Sequence, residues 1–166
     1  MMQAITSRMI FTLIFAGCTF LMGVALFMEH YMALEPCPLC ILQRVMVIIV
    51  ALIALVAAIH HPDNLGIRLY GVSVVIAAVI GGAISSRQLW LQSLPEDEVP
   101  ACGPSLDYLM DVFPPTEVLN MVLAGDGTCA EVVWSFLGLS IPGWTLVGFI
   151  GLAAFGIFQS ARPLKH

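Results

Sequence analysis

The chain has 166 residues, 60% hydrophobic and only 10% charged, with a net charge of −5. Ordinary globular domains carry about 25% charged residues, so the composition excludes a conventional water-soluble core and suits lipid. The negative balance, with no basic patch interleaved with aromatics, argues against a nucleic-acid partner.

Stretches of about 20 apolar residues mark membrane-crossing helices, and four occur in one domain covering residues 1–166. The first spans about 9–28 and contains Cys18, a thiol in apolar surroundings that reads as inert packing. Its apolar run exceeds the ~7–15 residues of a signal-peptide core, and three more spans follow, so a retained anchor is expected. A short loop over about 29–40 carries Glu29, Glu35, Cys37 and Cys40, both carboxylates reading as solvated though within reach of a proton-transfer role. The second span, about 41–59, ends at His60 and His61, which read as loop residues.

The third span covers about 69–89 and is followed by a long loop, about 90–143, with Cys102 and Cys129. Within it, Pro114–Pro115 before "TEVLNMVLAG" predicts a short helix with proline at its entry, Glu117 in its first turn and Gly125 at its exit. Val118, Leu119, Val122 and Leu123 form its apolar side, for the membrane surface or the rim of the bundle. The fourth apolar run, Trp144 to Phe158, is short unless Ile141–Gly143 and Gln159–Ala161 extend it, and the span is set at about 144–161. Trp90, Trp134 and Trp144 fall near the expected interfaces, where tryptophan is favoured.

Arg8, Arg68, Arg162 and Lys165 lie in the terminal segments and the loop between spans two and three. The basic-residue bias places those segments on the cytoplasmic side. The two cysteine-bearing loops then face outward, into a compartment where disulfides are the expected state.

In "PCPLCILQR" (Pro36–Arg44), Cys37 and Cys40 fall on one face at a helix start, close enough for a disulfide if the first turn is slightly distorted. Pro38 suits that turn, and unpaired N–H groups there favour a thiolate. A redox pair is the preferred reading; purely structural disulfides and a zinc site are the alternatives. Structural bridging suits Cys102 and Cys129 better than a tight Cys-Pro-Leu-Cys loop. Those two are also too far apart for a zinc knuckle, so no metal is expected. Arg44 stands one turn beyond Cys40 on the same face. It is placed to snorkel to headgroups, or to stabilise a thiolate or polarise the carbonyl of a membrane quinone.

Outward "PCPLC", Arg44, "RQLWLQSLP", "VPACGPSLDYLM" and "GTCAEVVWSFLGLSIPGW" together resemble the DsbB family, disulfide-bond formation proteins of bacterial inner membranes. The resemblance covers essentially the whole chain. It implies an all-α four-transmembrane-helix bundle with both termini cytoplasmic and a short surface helix in the second periplasmic loop. It also implies quinone-dependent reoxidation of a DsbA-like periplasmic dithiol oxidase. Cys102 would take the mixed disulfide, Cys129 would exchange with Cys37, and Cys40 would face a ubiquinone or menaquinone beside Arg44. Family members often carry histidine before the "WLQ" segment; here Arg87 is followed by Gln88. Glutamine hydrogen-bonds a quinone oxygen but delivers no proton as imidazolium does, while Arg87 reads as an interfacial anchor. The rivals are a non-enzymatic membrane protein braced by outward disulfides and a vitamin-K-epoxide-reductase-like quinone enzyme, whose usual cysteine arrangement fits less well.

Overall fold

The computed structural model describes residues 7–60, 62–104 and 106–161; His61, Arg162 and Lys165 lie outside them. In chain order the elements are α1 (Ser7–Tyr31), α2 (Pro38–His60), α3 (Asn64–Gln92), α4 (Leu106–Val112), α5 (Pro115–Ala124), α6 (Gly127–Ala130), β1 (Ser135–Phe136), β2 (Leu139–Ser140) and α7 (Ile141–Ser160). Helices α1, α2, α3 and α7 are each long and apolar enough to cross a membrane. At 1.5 Å per residue even the shortest reaches about 30 Å, the thickness of a bilayer's hydrocarbon core. The protein is an all-α, four-helix, multi-pass membrane protein.

Helices α1, α2 and α3 run past both ends of the spans read from the sequence, and α7 starts three residues before its span. Helix α2 begins at Pro38, whose missing N–H costs nothing in a first turn. Cys40 therefore lies inside the helix and Cys37 directly before it. Asp63 caps α3 by accepting from the Gly66 N–H at 2.9 Å. Ile141–Gly143 and Gln159 do extend the fourth helix, whereas Ala161 caps it.

The core joins Phe11, Ile14 and Cys18 of α1 to Val50 and Ala54 of α2, Val74 and Ala78 of α3, and Phe149 of α7. Cys18 thus sits among packed side chains. Large apolar residues such as Phe20, Leu52, Leu69, Val79 and Ile150 point outward; in lipid such exposure carries no penalty. Helix α3 packs along α2 and α7, and α1 along α2. Close approach of α3 to α7 relies on small residues: a methyl group on Gly71 would lie 2.9 Å from the Gly156 carbonyl, and one on Gly156 equally near the Gly71 carbonyl. Gln159 Nε2 donates to the Ser7 carbonyl at 3.1 Å. The start of α1 and the end of α7 therefore share one end of the bundle. There His60, the last residue of α2 rather than a loop residue, hydrogen-bonds with the Tyr70 hydroxyl at 3.0 Å.

The opposite end carries the rest. Helix α5 starts and stops as its prolines and glycine predict, with Gly125 at φ 75°. Its Val118 and Val122 are buried with Leu109 of α4 against Leu42 of α2, while Leu119 and Leu123 stay exposed. One edge of the helix thus rests on the bundle rim and the other faces outward. The short α4, α6 and the β1–β2 hairpin are additions to the elements expected from sequence.

Candidate functional site

The first turn of α2, the last turns of α1 and α3, and α6 meet at this end of the bundle. Cys37 and Cys40 are separated by one helical turn, and Cys37 Sγ donates to Cys40 Sγ at 2.8 Å. The Cys40 N–H, free at a helix start, points to Cys37 Sγ at 3.4 Å. Across the interface, Gln88 of α3 is only 3% exposed. Its Nε2 donates to Cys37 Sγ at 3.2 Å and Cys40 Sγ at 3.3 Å. Gln88 Oε1 in turn accepts from Gln43 Nε2 of α2 at 2.7 Å.

Cys129, in α6, is fully buried against Cys37, Leu39 and Leu91. Asp126 fixes it there: its carboxylate caps α6, accepting from the N–H groups of Thr128 at 3.1 Å and Cys129 at 3.3 Å. Hydrogen bonding from Cys37, helped by the backbone N–H groups of Asp126 and Leu39, draws the Cys129 thiol below the ordinary range against the opposing effect of burial. The same contact pushes Cys37 up, because its proton is held between Cys129 and Cys40 and the site is buried. The Cys37–Cys129 contact thus raises one thiol and lowers the other together.

Cys102 is exposed on the outer side of α6. Its segment is held by the Gly127 N–H donating to the Ala101 carbonyl at 3.3 Å. It lies so close that a methyl group on Gly127 would stand 3.1 Å from Cys102 Sγ and 2.8 Å from the Pro100 carbonyl. One member of the loop pair thus faces solvent and the other faces the buried pair.

Arg44 pairs with Glu29 at the end of α1 and donates to the Ala25 carbonyl at 3.4 Å. Glu29 stays partly open to solvent, as read from the sequence, and gains a partner because α1 lies along α2 and its last turns reach the level of Arg44. A guanidinium at the edge of an apolar phase is costly alone. The ion pair offsets that cost and anchors Arg44 beside, rather than on, the sulfurs. Arg87 donates to the Ala124 carbonyl at 3.0 Å and lies 4.3 Å over the Trp90 ring, an anchoring role.

Between α1, α2, α7 and the hairpin lies a cavity of about 520 Å³, lined by apolar side chains together with Cys37, Cys40, Gln43, Arg44 and Gln88. Trp134, Phe136 and Trp144 form its aromatic end, with Trp144 Nε1 donating to the Phe136 carbonyl at 3.1 Å. Sequence reading took these tryptophans as interfacial only and passed over Gln43. The available signal was a polar residue inside an apolar span, three positions after Cys40.

A four-helix membrane protein with two cysteine pairs meeting at one end of its bundle has the build of a membrane thiol–disulfide oxidoreductase. The family model described as disulfide bond formation protein DsbB matches residues 7–159. Relatives named "Disulfide bond formation protein B" are 55% identical in Saccharophagus degradans, covering 90% of both chains, and 55% identical in Marinobacter nauticus, covering 95% of this chain and 94% of that one. A third, from Hahella chejuensis, is 50% identical over 95% of this chain and 96% of its own. The chain belongs to the DsbB family and is a disulfide-forming oxidoreductase of the membrane. Among the described residues no cluster of His, Cys, Asp and Glu is arranged to hold a metal ion.

Proposed function

We propose that this protein reoxidises a DsbA-like periplasmic dithiol oxidase and passes the electrons through Cys102–Cys129 and then Cys37–Cys40 to a membrane quinone. It works in a bacterial inner membrane, with the cysteine-bearing end periplasmic and both termini cytoplasmic; Arg8 and Arg68 at the far end of the bundle support that orientation. The observation that carries the reading is that Cys37 and Cys40 line an apolar cavity large enough for a substituted ring while Cys129 is buried against Cys37.

In the first step, a thiolate of the reduced partner attacks Cys102 Sγ, breaking the Cys102–Cys129 bond and leaving Cys129 as thiolate. The partner's second thiolate then breaks the mixed disulfide, so the partner leaves oxidised and Cys102 and Cys129 hold two electrons. Cys129, whose thiolate is favoured, attacks Cys37 and expels Cys40 as thiolate. Cys102 then attacks Cys129, restoring the loop disulfide and releasing Cys37, so the pair at the membrane edge carries the two electrons. A quinone bound in the cavity supplies the acceptor, taking two electrons and two protons. Arg44 and Gln88 both line that site: Arg44 has N–H groups beyond those given to Glu29 and the Ala25 carbonyl for a carbonyl held beside Cys40, while the Gln88 amide keeps its N–H groups on the sulfurs.

The test is oxidation of a reduced DsbA-like protein by the purified chain in lipid, with and without ubiquinone or menaquinone. Catalytic oxidation only with a quinone present is expected; equal oxidation without any acceptor, or none with either, would refute the reading.

A further inference from the structure

We infer that Gln43 is a positioning residue: by locking the orientation of the Gln88 amide it sets the redox equilibrium of the Cys37–Cys40 pair. The inference deepens the proposed function, since it concerns the pair placed next to the acceptor.

The two glutamines are each 3% exposed, on facing sides of α2 and α3 at the level of the cysteines. A side-chain amide in such a place is costly unless its groups are paired. Gln43 Nε2 gives Gln88 Oε1 a 2.7 Å hydrogen bond. That leaves the Gln88 NH₂ group turned to the sulfurs, 3.2 Å from Cys37 Sγ and 3.3 Å from Cys40 Sγ. Were Gln88 to flip alone, its NH₂ would meet the Gln43 NH₂ and its carbonyl oxygen would meet the sulfurs. The first contact sets donor against donor, and the second takes the N–H groups from the sulfurs and leaves only the Cys40 S–H, already 3.5 Å from Gln88 Oε1, to pair with the oxygen. Gln43 makes its hydrogen bond to Gln88, not to a sulfur, among the described residues, so it acts through Gln88.

The consequence is chemical. An N–H donor favours a thiolate far more than a disulfide sulfur, because hydrogen bonds to a charged acceptor are roughly twice as strong. A locked Gln88 therefore favours the reduced pair over the disulfide and makes the pair a stronger oxidant. That is the state needed to draw electrons from the loop cysteines. Without Gln43 the amide is free to turn, and the reduced form loses part of its support.

The test is an equilibrium that involves neither quinone nor protein partner. Full-length protein stripped of quinone is incubated in glutathione buffers, quenched by alkylation, and the Cys37–Cys40 peptide is read by mass spectrometry. One disulfide and two glutathione thiols exchange for two protein thiols and one glutathione disulfide, so electrons and protons balance. Gln43→Met, close in shape but without a donor, is expected to shift the equilibrium about tenfold toward the disulfide, or about 30 mV for a two-electron couple. Gln88→Met should shift it at least as far, and the double variant no further than Gln88→Met alone. If Gln43→Met does not fold, Gln43→Asn, one methylene short of the contact, is read in the same way. An unchanged equilibrium in the Gln43 variant, or shifts that add in the double variant, would overturn the inference. Failure of the wild-type protein to use any quinone would instead refute the proposed function and leave this result standing.

Discussion

The two cysteine pairs of this protein are built differently, and the difference assigns their tasks. Cys37 and Cys40 sit at the first turn of a long helix, held by helix N–H groups and by the Gln88 amide. Cys102 lies on an irregular segment and Cys129 on the short α6, the first exposed and the second fully buried. A hydrogen-bonded pair lining an apolar cavity suits a small lipid-soluble acceptor. A pair with one outward sulfur suits a protein dithiol, and its buried member hands on what the exposed member receives.

The comparison breaks most sharply if any of the four sulfurs is dispensable. Serine at Cys37, Cys40, Cys102 or Cys129 is expected to abolish quinone-dependent oxidation of the reduced partner, whereas Cys18→Ala, in the helix core, should keep most of it. Turnover assays on the five variants check this, and full activity of Cys102→Ser would remove the loop pair from the relay.

A smaller effect separates the two ends. Arg44→Ala should raise the apparent KM for quinone by about 10- to 100-fold, the range of a lost charged hydrogen bond of about 1.5–3 kcal/mol. Arg44→Lys should be milder, since it keeps the charge but not the planar fork. The KM for the protein partner should stay near the wild-type value. An unchanged quinone KM with weakened partner binding would place Arg44 on the docking side.

Gly127→Ala probes the loop pair in the same way. Its methyl group would press on the Pro100 carbonyl and on Cys102 Sγ. Overpacking of this kind costs about 1–3 kcal/mol. Steady-state kinetics should show a several-fold rise in the partner's KM and an unchanged quinone KM; the opposite split would contradict the division of tasks.

The finest distinction is in pH. In the reduced protein Cys129 lies below the ordinary thiol range and Cys37 above it. As pH rises, Cys129 should lose its proton before Cys37. Alkylation by a small neutral reagent, followed peptide by peptide, should show the Cys129 profile turning on at lower pH than that of Cys37. A reversed order would contradict a hydrogen bond from Cys37 to Cys129.

Much of this was legible in the sequence, for physical reasons. Four apolar runs are a strong signal because lipid tolerates little else. The cysteines and Arg44 stood out by type and by spacing along one helix face. The helix ends were less legible, since Pro38 and Asp63 start helices through local hydrogen bonding that hydropathy does not report. Helix α6 and the hairpin are too short for periodicity and are held by contacts with the bundle. Partners across helices escaped for the same reason. Gln43 meets Gln88 45 residues away, and Glu29 meets Arg44 15 residues away, through helix register alone.

The central claim is that electrons cross between the two pairs through Cys37 and Cys129. Cys40→Ser leaves Cys37 without its resolving partner, so its attack on the Cys102–Cys129 disulfide should stop at a Cys37–Cys129 bond with Cys102 left free. Non-reducing proteolysis and mass spectrometry of that variant read the linkage directly. A dominant Cys37–Cys129 peptide with alkylated Cys102 is the predicted result. A Cys37–Cys102 peptide, or an untouched Cys102–Cys129 bond beside a free Cys37, would contradict the account.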